Sequence, residues 1–297
     1  MAFHILTDAQ LTEVLPMKDA LEKLEKALAA KSAGAMHSPA RFRVEGSGGD
    51  LVFTGGATTG KEGAIGFRVY ETFPPGFEDR YQVTAVWDNG SGAFLGLVVG
   101  GLLGSIRTGA LGGLAVKYMA RRTSRVLALL GSGLQARWQL EAALCVHPFQ
   151  KIKVYSPTSA HRKAFASEMA ERHRIDVKAV SSVRAAIKDA DVIISATRSE
   201  QPLFQAAQIN PGVHISTLGP KAKGASELPP DLVPKCRVIA TDSLNQVEDE
   251  GERFFMEGAS HRRRMVELSD LAAQKTKGRV SEEDITVADI KRALREA

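Results

Sequence analysis

The stretch Val126 to Arg137, VLALLGSGLQAR, constrains the fold of this chain more than any other. Five consecutive apolar residues, Val126 to Leu130, read as a buried strand, because a parallel strand covered on both faces needs no polar alternation. Gly131-Ser132-Gly133 follows at once, and Leu140, Ala143 and Leu144 fall on one side of a helix running from Gln135 to Val146. Gly131, Gly133 and Ala136 take the three small positions of a G-x-G-x-x-(G/A) turn set between strand and helix. There the first glycine makes the tight turn and the second admits a pyrophosphate. The small third residue lets the helix pack close, with its N-terminus facing the anion. In that setting the motif predicts a dinucleotide site.

Beyond Arg125 the rhythm is β-α-β-α. Strands are expected at Ile152 to Tyr155, Asp176 to Val180, Asp191 to Ser195, Val213 to Leu218 and Arg237 to Thr241, with helices at Ser159 to Arg172 and Ser182 to Asp189. With the first strand this makes six, a doubly wound parallel sheet whose ligands lie at the strands' carboxyl ends. Residues 248–297 read as helical and charged. Before Arg125, a capped start at Thr7 to Gln10 and an amphipathic helix from Met17 to Ala30 lead into strands around Asp50 to Thr54, Ala64 to Glu71, Tyr81 to Asp88 and Ala93 to Val99. Asp88 to Gly92 is a hairpin turn between the last two. The first hundred residues are therefore mainly antiparallel β. A helix is expected from Thr108 to Arg121, and its glycines 109, 112 and 113 suggest close packing, against backbone or a bound ligand.

At 297 residues the chain suits two domains, and 44% hydrophobic with 25% charged residues is ordinary globular composition. The net charge of +5 is mild and dispersed apart from His261 to Arg264, which reads as a solvated helix face, so no nucleic-acid partner is expected. Two distant cysteines and seven scattered histidines give no metal motif. No apolar run approaches the ~20 residues of a membrane helix, and the N-terminus lacks a signal pattern. A soluble, cytoplasmic protein is expected.

The second strand of the doubly wound part decides the cofactor. An NAD site carries an acid at its end for the ribose. Here Tyr155-Ser156-Pro157-Thr158-Ser159 ends it, and His161, Arg162 and Lys163 come before Glu168. Hydroxyls from Ser156 and Thr158 with the Arg162 cation suit a 2′-phosphate, so NADP(H) is favoured over NAD(H). The alternative is that Arg162 and Lys163 are solvated residues early in a helix.

Arg107-Thr108-Gly109-Ala110, Lys117-Tyr118-Met119-Ala120 and Gly131 to Arg137 together resemble the ornithine cyclodeaminase/mu-crystallin family, whose members read R-T-A-A, a-K-y-L-A and G-x-G-x-Q-A at this spacing. The likeness covers nearly the whole chain. It implies a homodimer, with an N-terminal substrate and dimerisation domain over residues 1–107 completed by C-terminal helices at about 265–297. A Rossmann-type NAD(P)-binding domain follows over 108–264. It implies hydride transfer at the α-carbon of an amino or imino acid: imine (ketimine) reduction, amino-acid dehydrogenation or ornithine cyclodeamination. Non-catalytic NADP-binding crystallins belong to the same family.

Carried over residue by residue, the resemblance gives Arg41 and Arg107 as holders of the substrate carboxylate, with Gln82 and Thr84 on a strand approaching the cofactor. It implies that Thr108, Gly131, Gly133, Leu134, Gln135, Thr197 and Gly219 line the dinucleotide. Three positions depart from the family. Its lysine falls at Arg68, its aspartate at Lys221, and its C-terminal F-x-S-x-G loop is shortened where Ile285-Thr286-Val287 meets Ala288-Asp289-Ile290. A guanidinium orients or neutralises but keeps its proton at neutral pH, so Arg68 is expected to polarise the substrate and Lys221 to be the acid. Lys221 as a solvated loop residue is the alternative. Four cations without a matched carboxylate favour a substrate carrying a further acidic group. Loss of the aspartate speaks against cyclodeamination.

Overall fold

A computed structural model describes residues 3–39, 41–60, 63–73, 81–219, 221–222, 224–250 and 262–290. The chain divides into two compact units, one built on Met1–Arg107 and the other on Thr108–Arg292.

The first unit is a seven-stranded sheet with two leading helices. Its strands are β1 (His4–Thr7), β2 (Met36–His37), β3 (Phe42–Val44), β4 (Leu51–Thr58), β5 (Ala64–Glu71), β6 (Val83–Asp88) and β7 (Phe94–Val99), in the order β1-β7-β6-β5-β4-β2, with β3 also on β4. The pairs among β4, β5, β6 and β7 are antiparallel, as the alternating patterns predict. β1 was not expected; it pairs parallel with β7 and leads into α1 (Asp8–Val14). Thr7 and Gln10 form a reciprocal capping box at that junction. α2 (Met17–Ser32) buries Met17, Leu21 and Leu28.

The helix expected from Thr108 begins earlier, as α3 (Leu102–Met119). From Thr108 to Val116 it is buried all round. Gly109 and Gly112 serve close packing of helix on helix, as expected. α4 (Leu134–Val146) comes so close that a Cβ on Gly109 would stand 2.7 Å from the Trp138 carbonyl oxygen. One on Gly112 would overlap the Gln139 side chain.

The second unit holds an all-parallel sheet of eight strands. They are β8 (Val126–Leu130), β9 (Lys151–Tyr155), β10 (Asp176–Ala179), β11 (Val192–Ser195), β12 (His214–Thr217), β15 (Cys236–Thr241), β16 (Met265–Glu267) and β17 (Ile285–Asp289), while β13 (Lys221–Ala222) and β14 (Ala225–Ser226) form a separate small ribbon. The order is β10-β9-β8-β11-β12-β17-β15-β16. Its first five strands follow the 3-2-1-4-5 order of a Rossmann sheet, with the topological switch between β8 and β11. α5 (Ser159–His173) and the Ser182-capped α6 (Val183–Ile187) connect the early strands.

The C-terminal reading is corrected. After α7 (Leu244–Glu250), residues 265–267 and 285–289 are strands of this sheet where helix was expected, and β17 is inserted between β12 and β15; residues 291–297 lie outside the described residues. Ile285-Thr286-Val287-Ala288 is a stretch too short for periodicity to separate strand from helix or loop. It is a strand because Thr286 to Asp289 are buried between two ready-made neighbours. Arg264 likewise is no solvated helix residue. It donates to the carbonyls of Pro234 (2.6 Å) and Cys236 (2.8 Å) at the foot of β15, and His261 lies outside the described residues. Among the described residues no helix is long and apolar enough to cross a membrane.

Candidate functional site

In the first unit, strand alternation puts Arg68 and Tyr70 of β5 on one face, and the cross-strand partner of Arg68 is Thr84 of β6. Gln82 lies two residues before Thr84 and reaches the same face. Its Oε1 accepts from Arg68 Nε (3.0 Å) and Nη2 (2.5 Å). The Arg68 guanidinium stacks on the Tyr70 ring at 4.9 Å, and Arg41 Nη1 donates to the Tyr70 hydroxyl at 3.2 Å. Gly104 in the first turn of α3 is bare, and a Cβ there would stand 2.8 Å from Arg68 Nη2. The helix can therefore press Arg107 toward the cluster.

Burial first, then the positive charge of Arg107 and Arg41, pushes the Arg68 guanidinium down to about 10, with Tyr70 acting in the opposite direction. No carboxylate is among the groups acting on it. Three guanidiniums gathered in one place, with no carboxylate among the groups acting on the central Arg68, suit an anion, and their planar forks match carboxylate oxygens. Arg41, Arg68 and Arg107 are thus brought together, and Thr84 stands beside them.

In the second unit, Gly131 (φ +108°) turns out of β8 so near the β11 loop that a Cβ would come within 2.5 Å of the Ala196 carbonyl oxygen. Only glycine suits that backbone and that approach. Gly133 is the N-cap of α4 and supplies no side-chain acceptor, and the space where its Cβ would stand is open. The first-turn N–H groups of α4 therefore face an uncrowded cradle suited to a phosphate. Leu134 beside it is exposed, and Gln135 carries a buried Oε1 with no partner among the described residues. Ser132 Oγ donates to Ser156 Oγ at 2.9 Å, tying the glycine turn to the end of β9. Arg162 Nη1 donates to the carbonyls of Ser156 and Pro157, both at 3.1 Å. Its Nε and Nη2 have no partner among the described residues. Thr158 caps α5 by position alone, with no side-chain bond. These groups suit a dinucleotide.

Other expected positions turn to protein contacts. Thr108 is buried, and its carbonyl accepts from Gln139 Nε2 at 2.8 Å. Thr197 and Gly219 both address Glu227, which was not singled out. Glu227 is fully buried and its carboxylate accepts from Thr197 N–H (2.8 Å), the Thr197 hydroxyl, Thr217 Oγ1 (3.0 Å) and Gly219 N–H (2.6 Å). Gly219 must be glycine-sized for this, since a Cβ would stand 2.1 Å from the Glu227 carboxyl carbon. One carboxylate thus fixes the loops after β11 and β12, at the carboxyl edge where ligands of such sheets lie. The signal available in the sequence was an acid between Ala225-Ser226 and Leu228-Pro229, in apolar surroundings. Lys221 pairs with Ser226 across the β13–β14 ribbon, and its side chain lies outside the described residues. Among the described residues no group of three or more His, Cys, Asp or Glu is placed to hold a metal.

An alanine dehydrogenase of Archaeoglobus fulgidus is 27% identical over 291 residues, covering 96% of this chain and 88% of that one. An iminosuccinate reductase of Paracoccus denitrificans is 31% identical over 206 residues, covering 69% and 63%. The structure of Thermococcus litoralis Delta(1)-pyrroline-2-carboxylate reductase with NADH and L-proline matches with a TM-score of 0.83 at 28% identity, covering 97% of this chain and 91% of that one. The sequence model of one family matches residues 2–291, and the chain belongs to it: the ornithine cyclodeaminase/mu-crystallin family.

Proposed function

We propose that this protein is an NAD(P)H-dependent imine reductase, reducing the C=N bond of an α-imino acid to the amine or running the reverse as an amino-acid dehydrogenase. The observation that carries this reading is the cluster of Arg41, Arg68 and Arg107 with no carboxylate among the groups acting on Arg68. Such a cluster binds an acid. No carboxylate acts on Arg68 to help hold a second amino group, which argues against a cyclodeaminase. When bound, the reduced nicotinamide supplies the hydride. Arg41 and Arg107 hold the α-carboxylate, and Arg68, aimed by Gln82, takes a further acidic group of the substrate. The relatives that reduce imino acids support the same reaction class.

The glycine turn at Gly131 and Gly133, with Gln135, holds the dinucleotide, and Ser156 with Arg162 prefers a 2′-phosphate. A homodimer belongs to the same reading. The sheet face opposite the arginines carries Phe42, Ile65 and Phe67 in exposed positions, with Phe67, Trp87, Phe94 and Phe3 in ring contact. Apolar patches of this kind mark interaction surfaces.

The test is consumption of NADPH and NADH with a panel of cyclic imino acids, and of 2-oxo acids mixed with ammonia, including dicarboxylates. The expected outcome is turnover of one imine, at least tenfold more efficient with NADPH and best with a second carboxylate on the substrate. Saturable NADPH binding without consumption across the panel would instead make this a crystallin-like binding protein. Release of ammonia without net reduction would make it a cyclodeaminase.

A further inference from the structure

Imine reduction needs a proton at nitrogen as well as a hydride at carbon, and the arginine cluster limits where that proton can come from. A guanidinium donates hydrogen bonds and holds its proton through the neutral range. Gln82 has no acidic proton, and its Oε1 already accepts twice from Arg68. Thr84 carries only an alcohol, the Lys221 side chain lies outside the described residues, and among the described groups in contact with Arg68 the Tyr70 phenol is the one with an acidic proton.

The geometry points to Tyr70 as the proton donor of this site, on the reading that the site reduces imino acids. Arg41 donates to the phenol oxygen at 3.2 Å. Because the arginine is the donor, the Tyr70 O–H hydrogen is left to point elsewhere, and among the described residues it meets no acceptor. Tyr70 as a whole is 4% exposed, so its ring sits in the protein rather than in solvent. A buried hydroxyl proton without an acceptor awaits one from a ligand.

Arg41 also places that ligand. A carboxylate on Arg41 brings the adjacent imine nitrogen toward the hydroxyl that shares the guanidinium. The groups facing Tyr70 are Arg41 from the segment before β3, Arg68 from its own strand and Gln82 from β6, with Arg107 of α3 acting on the same cluster. All but the neutral glutamine are cationic.

In the step itself the α-carbon accepts the hydride supplied by the reduced nicotinamide, and the C=N π pair moves onto nitrogen. A new N–H bond forms there as the Tyr70 O–H bond breaks. The phenolate, held by Arg41 and Arg68, then recovers a proton from water. Tyr70 thus does the work that the family's lysine would do at position 68, from two residues further along the same strand and on the same face.

The experiment compares wild type, Tyr70→Phe and a protein with fluorotyrosine at position 70, under saturating reduced cofactor and the preferred imine. Tyr70→Phe should lower kcat by about 10²- to 10⁴-fold, the usual worth of a general acid. KM should stay within about threefold, and the fall of kcat at alkaline pH should vanish. Fluorination makes the phenol more acidic without changing its shape, so the alkaline limb should move to lower pH. That variant keeps the test sound if Tyr70→Phe folds poorly. A Tyr70→Phe enzyme with kcat within about threefold of wild type, or a limb that fluorination does not move, overturns the assignment while leaving the reductase intact. A wild type that reduces no imine overturns the reductase reading and the assignment with it.

Discussion

Glu227 concentrates the consequences of single residues in the second unit. Its two carboxylate oxygens accept from two backbone N–H groups and two threonine hydroxyls, with no exposure to water. A glutamine of the same shape turns one of those acceptors into an NH₂ that meets donors. Glu227→Gln is therefore expected to cost about 2 kcal/mol or more of stability, the scale of a buried hydrogen-bonding group left unpaired. It should also weaken dinucleotide binding at least tenfold, because Thr197 and Gly219 lose their anchor. Urea denaturation and titration of NADPH fluorescence check the two parts separately. A variant with unchanged affinity would show that these loops do not approach the cofactor. Legibility at this scale followed chemistry. Arg41, Arg68 and Arg107 stood out because each falls where the resembled family carries a substrate-binding or catalytic cation. Tyr70 and Glu227 act through which atoms donate to them, and that depends on strand register and loop contact absent from the sequence.

At the scale of elements, β12 and β17 are fastened by a buried histidine. His214 stands in register with Thr286, its Nδ1 lies 2.9 Å from Thr286 Oγ1 and its Nε2 3.0 Å from Ser216 Oγ. Thr286 gives its own hydroxyl proton to the Met119 carbonyl (3.1 Å), so Nδ1 is the donor and Nε2 accepts from Ser216. Burial, and secondarily the charge of Arg279, pushes the imidazole down to about 3. Below the ordinary histidine value of about 6.5 the unfolded chain takes up a proton that the folded chain refuses, so stability present above that pH is lost as pH falls toward 3. About 2 kcal/mol should be gone by pH 5, seen as a lower urea midpoint than at pH 7.5, with a flatter dependence in His214→Gln. The Val126–Leu130 strand and the turn behind it were legible because five apolar residues ending in two glycines admit few other structures. The Ile285–Asp289 strand was not, since its neighbours, rather than its own pattern, make it a strand.

At the scale of the whole molecule, the open aromatic face of the first sheet makes the association state measurable. Light scattering should give twice the chain mass for the wild type and a single chain for Phe67→Asp, because a charge in the middle of an isologous apolar face is introduced on both sides at once. A wild type that is monomeric at micromolar concentration would remove the dimer from the proposed function. The fold class was legible from rhythm alone, while the path of the last described strand was not. That path matters for how the protein is made. A chain leaving the ribosome presents β8 to β12 first and β15 and β16 later, yet the strand that must lie between the two groups is the last of the sheet to emerge. Until then each group has an unpaired inner edge, the kind of surface on which other nascent chains pair. The sheet can close only once synthesis has passed Asp289, so its folding is timed by translation, and any ribosome that stops short of that residue releases two half-sheets with nothing to join them.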